Sequence, residues 1–330
     1  MRRNIVELTI PKLVPDEVMN DIEGDFINFK FNSLESNNFP MLINQDVDVY
    51  KENGELLLKF RKNVISKELC EQAFTSYKTV QMSRGAAARA GPINEQSGYW
   101  SKRKVIRIDK NAKSKKWMTK YITPKGEVSK MLVSNPVFTH VLGYYEKTPF
   151  LKMPCRLTSF TRRNLKKYEA GLPFIERIDQ LFKELVPDKH AIQKKRTDLR
   201  PKYKINNTAF TTITVNRNFR TALHRDSGDY KLGFGNLTVL ERGKYHGGYT
   251  ILPQFGIAVD IRQGDFIAMD VHEWHCNAPL YETKSDKQFN AKIKPDYNQK
   301  SERGVQGENK RYTRLSFVCY VREKIIDCDK

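Results

Sequence analysis

Residues 210–271 read FTTITVNRNFRTALHRDSGDYKLGFGNLTVLERGKYHGGYTILPQFGIAVDIRQGDFIAMDV. Short runs rich in β-branched and aromatic residues alternate here with Gly, Asn and Pro, a pattern typical of closely spaced strands joined by turns. The runs are Phe210–Val215, Leu237–Glu241, Tyr249–Leu252, Ile257–Ile261 and Asp265–Val271, with a further run at Tyr312–Val321. The chain is therefore expected to be α+β and mainly β, with a sandwich or jelly-roll core.

A hairpin and two helices are predicted ahead of this region. The hairpin strands are Val47–Tyr50 and Leu56–Phe60, joined around Asn53-Gly54, a pair that tolerates the positive φ of a tight turn. Ser66 is a suitable N-cap for a first helix, because Leu69, Ala73, Tyr77 and Val80 follow at helical spacing. A second amphipathic helix is predicted from Phe174 to Leu185, ending before Pro187.

These signals divide the chain into three segments. Residues 1–64 form an N-terminal segment that contains the hairpin, and residues 65–204 form a helical, basic support region. Residues 205–325 form the β core. The polar tract at 282–311 has no apolar period, so it is expected to be a mobile loop inserted in that core.

Charge is distributed unevenly along the 330 residues, whose net charge is +20. Residues 1–60 carry 6 basic and 11 acidic side chains, a net charge of −5. Residues 101–130 and 151–204 each carry a net charge of +9, with aromatic residues interleaved. Two separate basic segments favour a polyanionic partner, because each contact of Lys or Arg with a phosphate releases counterions. Nucleic acid is the expected partner.

Several classes of protein are disfavoured by the sequence. No apolar run approaches the ~20 residues that span a membrane, and Glu7 and Pro11 interrupt any secretory signal. Five scattered cysteines without a CxxC motif argue against a disulfide framework or a zinc ribbon, and favour a reducing compartment, cytoplasmic or nuclear. The cysteines are Cys70, Cys155, Cys276, Cys319 and Cys328.

A candidate metal site lies in the β-rich region. Two histidines and a carboxylate on one face, with other coordination positions open, are what a non-haem Fe(II) oxygenase needs. His224 and Asp226, two apart on an extended segment, can point the same way. The third ligand must come from a distant strand, and His275 follows the strand predicted at Asp265–Val271. Arg314, in the last strand, offers a planar fork for a co-substrate carboxylate.

His272 competes with His275, since the sequence reads His272-Glu273-Trp274-His275. This spacing lacks the step of the helical H-E-x-x-H zinc pair. His275 is favoured because a strand end and turn follow it directly. The other histidines, His140, His190 and His246, are expected to be structural, surface or loop residues.

These residues and their neighbours resemble the TET and base-J-binding-protein (JBP) group of 2-oxoglutarate/Fe(II) dioxygenases, particularly its phage and viral members. The similar stretches are Val215–Asp226, Gly235–Leu240, Gly264-Asp265-Phe266, Arg314-Leu315-Ser316 and, upstream, Ser83–Ala88 and Pro154–Thr161. The resemblance covers roughly residues 65–325. It implies a double-stranded β-helix, the cupin-like jelly roll, with helices packed on its outside.

The resemblance also implies roles for residues. His224, Asp226 and His275 would hold Fe(II), while Arg314 and Ser316 would bind the co-substrate 2-oxoglutarate.

Two further residues would contact the substrate. Asp229 is implied to face the target base and could accept a hydrogen bond from a cytosine amino group, although an ordinary turn aspartate is equally consistent. Arg84 is implied by its place in the Ser83–Ala88 stretch. Arg311 is a less favoured carboxylate partner than Arg314.

The resemblance implies oxidation of the 5-methyl group of a pyrimidine in DNA, 5-methylcytosine to 5-hydroxymethylcytosine first and thymine second. Such a methyl cannot reach iron from inside a duplex, so the base would be flipped out. RNA or protein side chains as substrates, a catalytically silent nucleic-acid-binding module and a zinc hydrolase stay open as alternatives.

Overall fold

A computed structural model describes residues 4–33, 39–83, 85–93, 100, 105–108, 118–123, 125–129, 133–148, 152–294, 305–306 and 310–329. The helices in these ranges are α1 (Asp16–Asp21), α2 (Lys67–Tyr77), α3 (Ser159–Arg163), α4 (Leu165–Ala170), α5 (Leu172–Leu185), α6 (Pro187–Asp198) and α7 (Lys284–Asn290). Short 3₁₀ helices cover Ala87–Ala90, Pro201–Tyr203, Pro253–Phe255 and Glu323–Asp327. None of the described helices combines the length and the apolar character that crossing a membrane requires.

The larger of two main sheets contains ten strands. They are β1 (Val6–Ile10), β4 (Val47–Lys51), β5 (Leu56–Arg61), β6 (Met82–Ser83), β9 (Val137–Tyr145), β10 (Arg156–Leu157), β11 (Thr212–Arg217), β12 (Gly235–Arg242), β16 (Phe266–Met269) and β19 (Thr313–Tyr320). The spatial order is β1-β4-β5-β16-β12-β19-β11-β9-β10, with β6 beside β9. Only the β1–β4 pair among these described strands is parallel.

The smaller main sheet faces the larger one across the core. Its strands are β2 (Asn32–Ser33), β3 (Met41–Ile43), β14 (Thr250–Leu252), β15 (Ile257–Val259) and β17 (Cys276–Asn277), in the order β17-β14-β15-β3-β2. Two separate pairs complete the described strands: β7 (Val105–Ile108) with β8 (Met118–Tyr121), and β13 (His246–Gly247) with β18 (Leu280–Tyr281).

The strands from β11 onward alternate between the two main sheets in the manner of a jelly roll. β11, β12, β16 and β19 lie in the larger sheet, and β14, β15 and β17 lie in the smaller one. The backbone of His224 pairs with that of His275, directly before β17, and so adds the His224 segment to the edge of the smaller sheet. The expected double-stranded β-helix core with helices outside it is confirmed, because each predicted β-rich run coincides with one of these strands.

The acidic N-terminal segment extends both sheets. β5 pairs with β16, with Phe60 opposite Ile267, and β3 pairs with β15 in the smaller sheet. Buried side chains of both origins form one apolar cluster between the sheets. The predicted hairpin is confirmed as β4 and β5, and Gly54 takes the positive φ of its turn, +80°. The three-segment division of the chain stays a prediction.

Helices α2 and α5 cover the outer face of the larger sheet. Ser66 caps α2 as predicted, its Oγ accepting from the Leu69 N–H at 3.3 Å. Phe317 of β19 contacts Tyr77 of α2 and Phe174 of α5, with ring centroids 5.6 and 5.3 Å apart. All three rings are fully buried. Each buried aromatic stabilises the fold by about 2–3 kcal/mol, so these contacts attach the helical layer to the core.

The polar tract at 282–311 contains a helix that its composition does not reveal. Thr283 and Asp286 form a reciprocal capping box at the start of α7. Asn290 at its end donates to the Lys244 carbonyl at 2.7 Å. The prediction of a loop is therefore wrong over Lys284–Asn290, because hydrogen bonds to caps and neighbouring backbone stabilise this helix without an apolar period.

Two of the five cysteines are paired. Cys155 and Cys328 form a disulfide between residues 173 positions apart, whereas Cys70, Cys276 and Cys319 are free and buried. The number and spacing of the cysteines predict no disulfide framework, and this prediction is wrong for Cys155 and Cys328. The fold brings these two residues together, and their positions along the sequence do not indicate that proximity.

His140, on β9, is a partly buried side chain whose ring nitrogens lie inside the protein. Its two ring nitrogens have no hydrogen-bond partner among the described residues, and its ring stacks on Phe160 with centroids 4.4 Å apart. Burial lowers the pKa of His140 to about 4.

We expect this histidine to make the protein less stable in acid. The unfolded chain, where a histidine pKa is about 6.5, takes up the proton first as the pH falls. The free energy of unfolding should therefore decrease from about pH 7 to about pH 5, with His140 contributing on the order of 1 kcal/mol. Urea denaturation at both pH values should show a weaker pH dependence for His140→Gln. An equal pH dependence in both proteins would contradict this assignment.

Candidate active site

Backbone pairing between two distant segments builds the centre of the site. The His224 N–H donates to the His275 carbonyl and the His275 N–H donates to the His224 carbonyl, each at 3.0 Å. This reciprocal pair places the two imidazole centroids 4.3 Å apart. The Asp226 N–H donates to the Val271 carbonyl at 3.1 Å, which holds the carboxylate beside the rings.

His224, Asp226 and His275 form a compact set of metal-binding atoms. One atom from each residue lies within 4.8 Å of the others. The two carboxylate oxygens of Asp226 each lie 3.7 Å from one imidazole Nε2. The three residues that the sequence predicted together are therefore brought together, with their donor atoms converging on one point.

The other ring nitrogens are held by backbone carbonyls. His224 Nδ1 lies 2.8 Å from the Ala222 oxygen, and His275 Nδ1 lies 2.9 Å from the Glu273 oxygen. In a neutral imidazole, Nδ1 donates to its carbonyl and the Nε2 lone pair is directed toward the carboxylate. This is the tautomer that a metal-binding histidine requires, and the carbonyls fix the orientation of each ring.

The charges at this centre suit a cation. Burial, with the neighbouring His275, lowers the pKa of His224 to about 3, so its imidazole is neutral. Burial opposes ionisation of Asp226, but His224, His275 and Arg89 outweigh it and hold the pKa of Asp226 below its ordinary value. Two imidazoles and one carboxylate are a donor set that fits Fe(II) with further positions left open.

His272 lies outside this set. Its Nε2 is 3.1 Å from the Tyr230 carbonyl, and it does not join the group of converging metal-binding atoms found in the described part of the chain. The turn at residues 272–274 directs the two histidines of this stretch to different neighbours.

A cavity of about 290 Å³ extends from the triad into the space between the sheets. Its walls combine apolar side chains with a few polar groups, as ligand sites commonly do. The apolar lining residues include Leu237, Val239, Ile261, Met269, Val271 and Val318.

Arg314 provides a buried cation in this cavity. It is 3% exposed, and its Nε has no hydrogen-bond partner among the described residues. The same is true of the buried Oγ1 of Thr250, and Ser316 lines the cavity two positions from Arg314. A Cβ on Gly248, whose φ is +71°, would lie 3.1 Å from Arg314 Nε, so glycine leaves room there. These unpartnered donors fit a carboxylate such as that of 2-oxoglutarate.

A second polar group lies where β19 ends. Asp229 forms a β-bridge with Arg322, and Tyr320 lines the cavity beside them. Burial, with the charge of Asp226, raises the pKa of Asp229 well above its ordinary value. Asp229 Oδ2 and Arg322 Nε are both buried without a hydrogen-bond partner in the described part of the protein. Because Arg322 Nη1 lies 3.4 Å from the Glu146 carboxylate, Arg322 Nε and Asp229 Oδ2 are the atoms of this pair left for a ligand.

Part of the upstream Ser83–Ala88 stretch also reaches the cavity. Gly85, Ala86 and the neighbouring Arg89 line it, and the Arg89 carbonyl accepts from the Ala222 N–H at 2.9 Å. Arg84, the residue in which the sequence placed a substrate contact, lies outside the described residues.

The basic segments predicted to contact nucleic acid contribute little to the cavity itself. Most of residues 101–117 lie outside the described residues, and no described residue of 152–204 lines the cavity. Its cations are Arg89, Arg225, Arg314 and Arg322. Sequence reasoning missed Arg89 and Arg322. The only signals were a single cation in an alanine-rich stretch and a cation where the last strand ends.

The other residues considered as ligands, Arg311 and the remaining histidines, do not line this cavity. Arg311 is exposed, and its guanidinium is within 3.5 Å of the Ile293 carbonyl. His246 is exposed and pairs with Asp286, with its Nε2 3.0 Å from the carboxylate. His190 lies 3.1 Å from the Asp179 carboxylate.

Comparison with known proteins gives relatives that carry the same domain. The chain is 35% identical over 193 residues to a bifunctional helicase and thymine dioxygenase JBP2 of Trypanosoma brucei brucei, which covers 58% of this chain and 15% of that protein. It is 32% identical over 152 residues to a thymine dioxygenase JBP1 of the same organism, covering 46% of this chain and 18% of the relative. The chain thus spans less than a fifth of the length of these relatives.

Among solved structures, one of NgTET1 in complex with 5mC DNA aligns with 94% of this chain and 92% of its own, at 13% identity and a TM-score of 0.49. A family model described as the oxygenase domain of the 2OGFeDO superfamily, Tet_JBP, matches residues 140–323, more than half of the chain. The chain therefore belongs to the Tet_JBP family of 2-oxoglutarate- and Fe(II)-dependent dioxygenases.

Proposed function

We propose that this chain oxidises the 5-methyl group of a pyrimidine in DNA, with 5-methylcytosine as the first substrate. One observation supports this most directly. A single cavity contains the His224, Asp226 and His275 set, the polar residues Asp229 and Arg322, and Arg314, whose Nε has no hydrogen-bond partner among the described residues. It thus offers a metal site, a carboxylate site and a group able to read a polar base edge.

The three ligands would hold Fe(II) through two Nε2 atoms and a carboxylate oxygen. Their backbone-bonded Nδ1 atoms keep both rings in place. When bound, Fe(II) and 2-oxoglutarate supply oxidation: O₂ is consumed, 2-oxoglutarate becomes succinate and CO₂, and a substrate C–H bond becomes C–OH. The protein's own contribution is to position that bond and exclude water.

Arg314 would bind the carboxylate of 2-oxoglutarate remote from the metal, with Thr250 and Ser316 donating beside it. The backbone that carries this side chain is held by Asn218, because the backbone N–H of Arg314 donates to Asn218 Oδ1 at 2.7 Å and the Arg314 carbonyl accepts from the Asn218 N–H at 2.9 Å. A guanidinium fork matches the planar geometry of a carboxylate.

Asp229 and Arg322 would read the edge of the base. The Asp229 N–H donates to the Asp226 carbonyl at 3.3 Å, so Asp229 lies directly beside a metal ligand. A methyl on C5 that faces the metal brings the C4 substituent of the pyrimidine to this neighbourhood. Cytosine carries an amino donor on C4, which a carboxyl oxygen accepts, and its N3 accepts from a guanidinium. This order of acceptor and donor supports 5-methylcytosine.

Thymine is the second candidate, supported by the relatives named thymine dioxygenases. Its O4 accepts where cytosine donates, so it would take its hydrogen bond from Arg322 or from a protonated Asp229. Either base would have to leave the duplex to reach this buried site, at a cost of a few kcal/mol.

The decisive experiment offers duplex DNA with either 5-methylcytosine or thymine as its only 5-methylpyrimidine to the Fe(II)- and 2-oxoglutarate-loaded chain. Mass spectrometry of nucleosides should find 5-hydroxymethylcytosine, dependent on both cofactors. Asp229→Ala should lower kcat/KM for 5-methylcytosine about 10- to 100-fold, the effect of losing a hydrogen bond of about 1.5–3 kcal/mol. Activity on thymine should fall less.

Two results would count against this assignment. Succinate formation without oxidised base would show that the substrate is not a DNA methyl group, and RNA and peptide substrates would then be tried. An unchanged preference between the two bases in Asp229→Ala would remove Asp229 from base recognition.

Removal of a metal ligand should abolish Fe(II) binding. In His275→Ala and Asp226→Ala we expect affinity to fall more than the ~10- to 100-fold that loss of a residue orienting a ligand costs. His272→Gln, three positions before His275 and outside the triad, should bind Fe(II) like the parent. Anaerobic competition with a fluorescent chelator measures the Fe(II) affinity of each variant. Retained affinity in the alanine variants, or zinc in place of iron in the purified protein, would contradict the site.

Arg314→Lys should raise the KM for 2-oxoglutarate about 10- to 100-fold, because an ammonium cannot form the two-pronged contact. The exposed Arg311→Lys provides a matched control and should leave that KM unchanged. Succinate production over a range of 2-oxoglutarate concentrations gives the KM of each variant. Equal effects of the two substitutions would disprove the assignment of Arg314.

A further inference from the structure

Arg225 lies between two metal ligands and points away from them. Because side chains alternate along an extended segment, His224 and Asp226 turn inward and Arg225 turns outward. Arg225 is exposed, while it also lines the cavity. The other exposed lining residues are Gly85, Ser227 and Gly228, so these four residues mark the mouth of the cavity.

The Arg225 guanidinium is held in place by a buried aromatic ring. Its central carbon lies 4.3 Å from the ring centroid of Trp274. Trp274 is 1% exposed and packs against Met19 and Leu223, so the ring is a fixed platform. A guanidinium stacked by one face on an aromatic ring keeps its N–H edges free for an anion.

Asp16, an acidic side chain near Arg225, already has hydrogen bonds to other residues. Arg225 contributes to lowering the pKa of Asp16, after hydrogen bonds from Gln254 and Lys12 to that carboxylate. Asp16 Oδ1 lies 3.2 Å from Lys12 Nζ and 3.0 Å from Gln254 Nε2. Within the described ranges no hydrogen bond or close ion pair of the Arg225 guanidinium is formed.

We propose that Arg225, stacked on Trp274, binds a backbone phosphate next to the flipped nucleotide. The inference rests on the proposed function, because a base that enters this cavity leaves its sugar and phosphates at the mouth. A phosphate there meets a preorganised, unpaired guanidinium. Arg225 is thus a positioning residue that favours polynucleotide over free nucleoside, and it reads no base.

The test measures how DNA binding depends on salt. Fluorescence anisotropy of a labelled duplex with one 5-methylcytosine is recorded with the anaerobic Fe(II)- and 2-oxoglutarate-loaded chain across a series of KCl concentrations. Loss of one phosphate contact lowers the slope of log affinity against log salt by about 0.9. Arg225→Gln should show this decrease and about tenfold weaker binding at low salt, whereas Arg225→Lys should keep most of the slope.

Arg242→Gln is the matched control. Arg242 also lies over an aromatic ring, 4.5 Å from the Phe74 centroid, and it is at the end of β12 remote from Gly235 and the mouth. Its substitution removes the same charge and should leave the slope unchanged. The rise in Tm on adding Fe(II) and 2-oxoglutarate should be the same in Arg225→Gln as in the parent, which shows that the neighbouring ligands are intact.

An unchanged slope in Arg225→Gln, or an equal loss in Arg242→Gln, overturns the phosphate contact while leaving the proposed function in place. A Tm rise lost only in Arg225→Gln would assign the residue a structural role instead. A parent chain that binds no duplex at any salt concentration overturns the proposed DNA substrate itself.

Discussion

The reciprocal backbone hydrogen bonds between His224 and His275 are the contact on which the site depends. They join a segment that follows β11 to the residue directly before β17, so they also extend the edge of the smaller sheet. This backbone pairing brings the two imidazole rings together, tilted by 52°, without any contact between their side chains being required. The Asp226 carboxylate then needs only the alternation of an extended chain to join them. Metal-site geometry is therefore a consequence of strand pairing, and it exists as long as the two sheets do.

Electrostatics divide the cavity into regions with different tasks. At the triad, burial lowers the pKa of His224, while the two imidazoles and Arg89 outweigh burial and hold the pKa of Asp226 below its ordinary value, an arrangement that attracts a divalent metal. Arg314, whose Nε has no hydrogen-bond partner in the described part of the chain, offers a buried cation inside apolar walls, where an anionic ligand is bound more strongly than at the surface. The region at Asp229 and Arg322 carries mixed charge. Burial raises the pKa of Asp229 and the nearby Arg322 opposes that rise, while Arg322 Nη1 lies 3.4 Å from the Glu146 carboxylate. Asp229 Oδ2 and Arg322 Nε have no hydrogen-bond partner among the described residues, so they suit a polar, uncharged ligand.

The outer layers of the molecule position this second polar group. Arg322 begins a short C-terminal segment that is bonded to the loop containing Asp229, through the Tyr230 N–H to the Val321 carbonyl and the Glu323 N–H to the Gly228 carbonyl. Arg196 of α6 holds Glu323 from outside, at 2.9 Å. The Cys155–Cys328 disulfide ties the end of the same segment to the support region. The helical layer therefore contributes to the site indirectly, by holding the wall that contains Asp229 and Arg322.

Local patterns in the sequence were sufficient for the strands of the jelly roll, the Ser66 cap and the grouping of His224, Asp226 and His275, because spacing along the chain carries that information. The tertiary structure alone decided what depends on contacts between distant segments. It brought Arg322 to Asp229, placed Arg89 and Arg225 at the cavity, and paired Cys155 with Cys328. It also formed α7 in a tract without an apolar period, where caps and partners elsewhere in the chain supply the stability. Periodicity reports which face of an element is buried, but only the packed fold determines what that face meets.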